Sequence, residues 1–287
     1  MTLNIQPLEG VGAQITGIDI KKLSVAEFEA IQSSFAEHGV IFFRDQETTE
    51  TDHIRFAERW GEININRFFA AHPDYPQIAM VAKEPDQTGN IGGGWHTDHS
   101  YDAEPALGSV LVARILPDSG GDTLFASMYK AYETLPQEIK TQIYGLTARH
   151  SGKHIFGDQP DAFYQTGDIG TGEGGSGRIG NAGAASALMD PVHPVVITHP
   201  LSGKKALYVN PAFTREIVGL TKDESDTLLS MLYTHVISSK TLHHRFHWEP
   251  GSIAMWDNRA TWHWALNDYQ GQRRIMHRIT IEGCALN

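Results

Sequence analysis

The chain has 287 residues, with 34 acidic against 23 basic side chains and a formal net charge of −11. Because a nucleic-acid-binding surface is usually basic, this balance argues against nucleic acid as a partner. The single cysteine, Cys284, excludes an intrachain disulfide, and the lack of a signal-peptide pattern or a run of roughly 18 apolar residues predicts a cytoplasmic protein with no membrane partner.

Apolar periodicity predicts mostly short strands with a few helices between them. Residues 5–8 and 13–20 should pair as a β-hairpin, because glycines separate them. Ser24 is a suitable N-cap for a helix that runs up to Gly39. The first half also predicts helices at 49–60 and 128–144, the second broken at Pro136, strands at 40–43, 78–81, 110–115 and 122–125, and a strand or a loop at 150–156.

A glycine-rich stretch at 166–187, within a segment of about 157–190, differs from the rest of the chain. It contains few large apolar residues, so it cannot bury enough surface to offset the entropy of ordering. Two hypotheses stay open: a flexible insertion, or a lid over an active site that orders when substrate binds.

The second half predicts further strands and only one long helix. The strands are expected at 195–198, 206–209, 244–248, 252–256, 260–265 and 274–281, and the helix at 223–236. Because strands and helices do not alternate regularly, this pattern favours a mainly β fold with peripheral helices, a double-stranded β-helix or jelly roll, over a parallel α/β sheet. With no internal repeat and no linker, a single domain over residues 1–287 is expected.

The most informative stretch runs from Gly92 to Tyr101 and contains the triplet His96-Thr97-Asp98. In a strand, residues two apart point to the same face, so the imidazole and the carboxylate can converge on a divalent metal ion. A lone His-x-Asp is a weak signal, because such triplets arise by chance. If His263 adds a ligand from a distant strand, the set becomes two histidines and one carboxylate, which is diagnostic of non-haem Fe(II) oxygenases.

Two arginines follow His263 on the last predicted strand. Arg274 and Arg278 lie an even number of residues apart, so both should face the same side of an extended strand. Burying two guanidinium groups is costly unless they meet anions, and the planar fork of arginine suits carboxylates. The pattern therefore predicts a pocket for one or two carboxylate-like groups beside a metal with open positions.

Six motifs stand out along the chain: Trp95-His96-Thr97-Asp98, Ser119-Gly120-Gly121-Asp122-Thr123, His193-Pro194-Val195-Val196, Tyr208-Val209-Asn210, Trp256-Asp257-Asn258-Arg259 and Arg273-Arg274-Ile275-Met276-His277-Arg278. Together they resemble those of the taurine dioxygenase / 2,4-dichlorophenoxyacetate dioxygenase family of Fe(II)- and 2-oxoglutarate-dependent oxygenases, and the resemblance covers about residues 5–283. It implies that Fe(II), 2-oxoglutarate and O2 take part in a reaction that yields succinate and CO2. It also suggests a homodimer or a homotetramer.

The resemblance assigns roles residue by residue. His96, Asp98 and His263 match the iron ligands, which would serve catalysis by holding the metal. Thr123 and Arg274 match the groups that hold the distal carboxylate of 2-oxoglutarate. A further group of positions is expected to contact substrate: Arg278, which matches the arginine for the acidic group of the substrate, together with Asn66, His99, Tyr101 and Phe213.

The chain departs from the pattern of the taurine enzymes around the substrate. Asn66 and Phe69 stand where a histidine and a tyrosine contact taurine, and His99 replaces a small apolar residue. These changes predict a different small acidic substrate, such as a sulfonate, a carboxylate, a sulfate ester or a phosphonate.

Two other classes of function remain alternatives. One is a zinc-dependent hydrolase that uses the same ligand set to activate water. The other is a non-catalytic jelly roll that retains a metal and an anion. The paired arginines count against the zinc hydrolase.

Overall fold

The computed structural model describes residues 2–156 and 188–286. The glycine-rich segment expected as a lid or an insertion at about 157–190 lies outside the described residues, apart from its last three positions. No helix in the described ranges is both long enough and apolar enough to cross a membrane.

Strands and helices match most of the expected segments. The strands in the described ranges are β1 (Asn4–Pro7), β2 (Ala13–Thr16), β3 (Val40–Phe43), β4 (Ile63–Asn64), β5 (Ala71–His72), β6 (Tyr75–Lys83), β7 (Gly108–Ile115), β8 (Thr123–Ser127), β9 (Thr147–His150), β10 (Val192–Pro194), β11 (Val196–Thr198), β12 (Lys205–Leu207), β13 (Thr214–Ile217), β14 (His243–Phe246), β15 (Ile253–Asp257), β16 (Thr261–Ala265) and β17 (Arg274–Ile281). The helices are α1 (Val25–His38), α2 (Glu50–Glu58), α3 (Met128–Glu133), α4 (Gln137–Ile143), α5 (Lys153–Phe156) and α6 (Lys222–Ser238), with short 3-10 turns at Ile20–Lys22 and Lys240–Leu242.

Two sheets packed face to face form the centre of the fold. The large sheet has the strand order β1-β2-β3-β15-β7-β17-β6-β5, with β4 paired to β17, and the small sheet has the order β14-β8-β16. Their facing sides share one apolar cluster, in which Phe42 of β3 stacks on Phe246 of β14 with ring centroids 4.2 Å apart. This arrangement is the predicted jelly roll, and both sides of the large sheet are covered.

The alternation of side chains along each strand decides which layer it contributes to. In β3, Val40 and Phe42 point between the two sheets, whereas Ile41 and Phe43 pack in the cluster that covers the opposite face with α1 and α2. All four side chains are buried, which explains why β3 is a continuous apolar run. On the small sheet, Trp262 of β16 points away from the large sheet, into a third cluster with α3 and α6.

Helix ends agree with the sequence signals. Ser24 caps α1 through a capping box with Glu27, and Gly39 ends it in the left-handed conformation with φ 74°. The break at Pro136 separates α3 from α4. The segment expected as strand or loop at 150–156 instead contains the end of β9 and then α5, and the short strand β13 was not predicted, because it carries no alternating apolar pattern.

Candidate active site

One cavity of about 640 Å³ lies at one end of the space between the two sheets. Every site residue predicted from the sequence lines it: Asn66, His96, Asp98, His99, Tyr101, Thr123, Phe213, His263, Arg274 and Arg278. They come from strands of both sheets and from the loops around the cavity mouth. Residues far apart in sequence therefore share one site, as a jelly roll permits.

His96, Asp98 and His263 converge at this cavity. One ligand atom from each lies within 4.8 Å of the others. The Nε2 atoms of His96 and His263 lie 3.7 and 3.4 Å from the two carboxylate oxygens of Asp98. A hydrogen bond of 2.8 Å from Nδ1 of His96 to the carbonyl of Gly94 fixes that ring, so that Nε2 keeps its lone pair for a metal. The donor set of two imidazoles and one carboxylate fits a divalent first-row metal.

The sequence predicts that His96 and Asp98 converge because both lie on one strand, and this explanation is wrong: the two residues do not share a strand. His96 makes an isolated antiparallel bridge to His263, with the N–H of each donating to the carbonyl of the other at 3.1 and 2.8 Å. The chain then turns, and His99 adopts a left-handed backbone with φ 59°. The bridge places the two imidazoles opposite each other, and the turn brings Asp98 to them.

Charges around the cluster set the protonation states that a metal requires. Burial raises the pKa of the Asp98 carboxyl, but Arg278, His263 and His96 lower it, and the result lies well below its usual range. Burial, and then the neighbouring His96, lower the pKa of His263 well below its usual value. An ionised carboxylate and a neutral imidazole are the forms that ligate metals.

Arg278 lies directly behind Asp98. Its Nη2 donates to the Asp98 carboxylate at 2.8 Å, and its Nε donates to the hydroxyl of Ser109 at 3.0 Å. The predicted substrate arginine therefore also orients the predicted metal carboxylate. Its Nη1 makes no hydrogen bond within the described residues, and the side chain lines the cavity.

Arg274 lines the same cavity and carries buried donors that no described residue pairs with. The residue is 5% exposed, and its Nε and Nη2 have no hydrogen-bond partner in the part of the chain that the structure describes. Burial lowers the pKa of its guanidinium below its usual value. Gly121, with φ 73°, gives it room, since a Cβ at that position would lie 3.2 Å from the Cδ and Nε of Arg274. A buried guanidinium with two unpaired donors is costly unless a bidentate anion meets it, so this position fits a carboxylate.

The wall formed by loops carries the remaining predicted residues. Oδ1 of Asn66 accepts hydrogen bonds from the backbone N–H groups of Phe68 and Phe69, so its carbonyl shapes the loop. Tyr101 packs edge-on against Phe213, with ring centroids 4.8 Å apart. Apolar rings therefore dominate this side of the cavity.

His99 is held by a chain of polar groups that the sequence analysis missed. Its Nδ1 lies 2.9 Å from one carboxylate oxygen of Asp102, and Nη2 of Arg67 donates to the other at 2.5 Å. The spacing of His99 and Asp102 within one turn was the available signal for this contact. Nε2 of His99 makes no hydrogen bond to a described residue, so it is free to contact a ligand in the cavity.

A second set of potential ligands lies outside the cavity, on the other side of β17. It comprises Glu50, His72 and His277. Nε of Arg114 donates to Nδ1 of His277 at 3.1 Å, and its Nη2 lies 3.6 Å from the Glu50 carboxylate. The guanidinium therefore takes the place of a cation there, and this cluster is an ion-pair network.

Known proteins resemble this chain over nearly its whole length. The model of the taurine catabolism dioxygenase TauD, TfdA family matches residues 4–280. An alkylsulfatase of Acinetobacter baylyi is 32% identical over 98% of this chain and 85% of its own length. An (S)-phenoxypropionate/alpha-ketoglutarate-dioxygenase of Sphingobium herbicidovorans is 30% identical over 98% of this chain and 95% of its own length. The crystal structure of a taurine dioxygenase from Burkholderia xenovorans superposes with a TM-score of 0.79 at 29% identity, covering 99% of this chain and 92% of that one.

Proposed function

The chain belongs to the taurine catabolism dioxygenase TauD, TfdA family and is a 2-oxoglutarate-dependent dioxygenase, and we propose that it hydroxylates a small acidic organic substrate. The substrate would be a sulfonate, a carboxylate, a sulfate ester or a phosphonate, and the products of the cosubstrate would be succinate and CO2. Family membership favours this reaction over the zinc-dependent hydrolase and the non-catalytic jelly roll.

The observation that carries the proposal is the position of Arg274. Its guanidinium is buried with two donors that have no partner among the described residues, and its side chain lines the cavity that the His96, Asp98 and His263 side chains also line. A metal site alone does not require a buried cation with no anionic partner, whereas a metal-chelating keto acid with a second carboxylate does. Thr123 lines the same cavity and would hold that carboxylate together with Arg274.

The proposed metal ligands His96, Asp98 and His263 would hold Fe(II). When bound, Fe(II) with 2-oxoglutarate and O2 supplies the oxidation of a substrate C–H bond. Arg278 keeps Asp98 ionised and oriented through its hydrogen bond of 2.8 Å. The two sheets exclude water from the inner part of the site, since Phe125 and Trp256 are buried beside His263.

The loop wall supports the proposal of an acidic substrate with an apolar body. Phe69, Phe156 and Phe213 offer rings to the cavity, and Arg278 supplies a cationic group at its inner end. His99, Tyr101 and Asn66 would contact polar parts of the substrate. Because these residues differ from those expected to contact taurine, a substrate other than taurine is proposed.

The test is a panel assay with protein purified without oxygen. Sulfonates, sulfate esters, aryloxyalkanoates and phosphonates are each supplied with Fe(II), 2-oxoglutarate and O2, and succinate is measured. At least one class should stimulate succinate formation in an O2-dependent manner. Product formation without O2 and with zinc would instead support the hydrolase, and no succinate with any class would contradict the proposal.

A further inference from the structure

Trp248 lies behind the wall of the cavity, in contact with a residue of the proposed cosubstrate site. Its indole Nε1 donates a hydrogen bond of 3.0 Å to Oγ1 of Thr123. Both residues are buried, with 5% and 4% of their surface exposed. An indole nitrogen is a donor only, so the direction of this hydrogen bond is unambiguous.

This hydrogen bond occupies the Thr123 hydroxyl oxygen as an acceptor and leaves the hydroxyl hydrogen for another partner. A hydroxyl has one hydrogen to donate, and here its oxygen already accepts from Trp248. Within the described residues, Thr123 donates its own hydroxyl hydrogen to no partner, and the side chain lines the cavity. The free hydrogen is therefore available to an acceptor inside the cavity.

The ring of Trp248 also borders the second group of the site. The guanidinium carbon of Arg274 lies 5.8 Å from the ring centroid of Trp248 and 6.0 Å from that of Tyr269. Trp248 itself is held by an edge-on contact with Phe246, at 4.8 Å, within the cluster between the two sheets. Trp248 thus connects the rigid core to Thr123 and Arg274 at once.

We propose that Trp248 is a positioning residue for the distal carboxylate of 2-oxoglutarate. Its indole N–H orients the Thr123 hydroxyl as a donor to that carboxylate, and its ring keeps the Arg274 guanidinium beside it. The inference rests on the proposed function, because it assumes that 2-oxoglutarate binds at Thr123 and Arg274.

The experiment measures ligand binding without turnover. Protein loaded with Mn(II) is titrated with 2-oxoglutarate by calorimetry under anaerobic conditions, and wild type is compared with Trp248→Phe. The variant keeps an aromatic ring but loses the N–H, so its Kd for 2-oxoglutarate should rise about five-fold, the factor typical of one net hydrogen bond. Trp262→Phe is the matched control, since the Trp262 indole donates at 2.9 Å to the carbonyl of Val209 on the opposite side of the small sheet.

A second ligand distinguishes a specific effect on the distal carboxylate from a general disturbance of the site. 2-Oxopentanoate has the same keto acid end but lacks the distal carboxylate, so Trp248→Phe should leave its Kd unchanged. Equal losses for the two ligands would overturn the inference, because a merely structural role would affect both. In steady-state assays the KM for 2-oxoglutarate should rise while the KM for the organic substrate stays constant.

A double-mutant cycle tests whether Trp248 acts through Thr123. Thr123→Val should weaken 2-oxoglutarate binding, Thr123→Ser should retain it, and Trp248→Phe should add no more than about two-fold in the Thr123→Val background. Additive effects would overturn the inference. If Trp248→Phe does not fold, equal binding by the Thr123→Val and Thr123→Ser variants would still refute it. Failure of the wild type to bind 2-oxoglutarate would refute the proposed function instead.

Discussion

The two walls of the cavity are built in different ways. The inner wall takes Thr123, His263 and Arg274 from strands β8, β16 and β17, where alternation along regular strands fixes the direction of each side chain. The outer wall takes its residues from loops and turns, such as Asn66 and His99, whose polar atoms are partly used to hold their own loop. The inner wall thus leaves donors unpaired for the proposed cosubstrate, whereas the outer wall carries most of the residues proposed to contact the organic substrate, on loops, where binding residues are often found.

The largest expected effect is a loss of folding stability when a side chain is removed from the core that supports the inner wall. Phe42→Ala should lower the free energy of unfolding by about 3–5 kcal/mol, because it leaves a cavity between the two sheets beside Phe246 and Phe125. Phe69→Ala, in the partly buried loop wall, should lower it by less than about 1 kcal/mol, because loop side chains lose little packing. Chemical denaturation measures both values, and equal losses would remove the distinction between the walls.

Removal of a proposed metal ligand should abolish the reaction without unfolding the chain. His263→Ala should lower succinate formation by at least about 100-fold, since even outer partners of metal ligands typically cost about 10–100-fold. Metal analysis should show less than one Fe(II) per chain for this variant. His235→Ala, on α6 and distant from the cavity, is the control and should retain full metal content. Normal activity of His263→Ala would refute the ligand assignment.

A substitution in the loop wall should weaken binding of the organic substrate and leave binding of 2-oxoglutarate unchanged. Asp102→Asn weakens both polar contacts of that side chain, so His99 and Arg67 lose their charged partner. The KM for the organic substrate should rise about ten-fold, in line with the loss of one hydrogen bond to a charged group. The KM for 2-oxoglutarate should not change. A rise in both constants would show that the two walls are not independent.

The last expected effect, confined to the acid range, is a pH dependence of stability that arises on the outer side of β17. Burial, and then Arg114, lower the pKa of His277 from its usual 6.5 to about 4 in the folded chain. The unfolded chain therefore binds a proton in that range that the folded chain does not, so this contribution to stability is present above about pH 6.5 and is lost as the pH falls towards 4. His277→Gln should flatten the decline of the unfolding free energy between these pH values, and an unchanged slope would contradict the assignment.

Much of the inner wall was predictable from the sequence. The even spacing of Arg274 and Arg278 within an apolar strand was sufficient to place both side chains in the cavity, as β17 shows. The chemistry of two histidines and one carboxylate indicated a metal before the strands were known. The placement of the two arginines succeeds because strand periodicity is a local property of the sequence, whereas the two histidines and the carboxylate were chosen for their chemistry and converge through a bridge and a turn.

The outer wall was less predictable for a physical reason. The turn at His99 depends on a left-handed backbone conformation of that residue. No local sequence pattern predicts this conformation for a residue other than glycine. The contacts of Arg67 with Asp102 and of Trp248 with Thr123 join residues far apart in the chain, so they appear only when the fold is known. The expected homodimer or homotetramer stays a prediction, as do the two hypotheses for the glycine-rich segment, a lid or a flexible insertion.

The most direct test of the inner wall is the binding of 2-oxoglutarate to Mn(II)-loaded protein in two neighbouring variants. Arg274→Ala removes the buried guanidinium with its unpaired donors, whereas Arg273→Ala removes a half-exposed one that pairs with Glu84. Wild type and Arg273→Ala should each bind one 2-oxoglutarate per chain with equal Kd, and Arg274→Ala should bind it at least about 100-fold more weakly while keeping its metal, because two charged hydrogen bonds are lost. Equal affinity of Arg274→Ala and wild type would contradict the account.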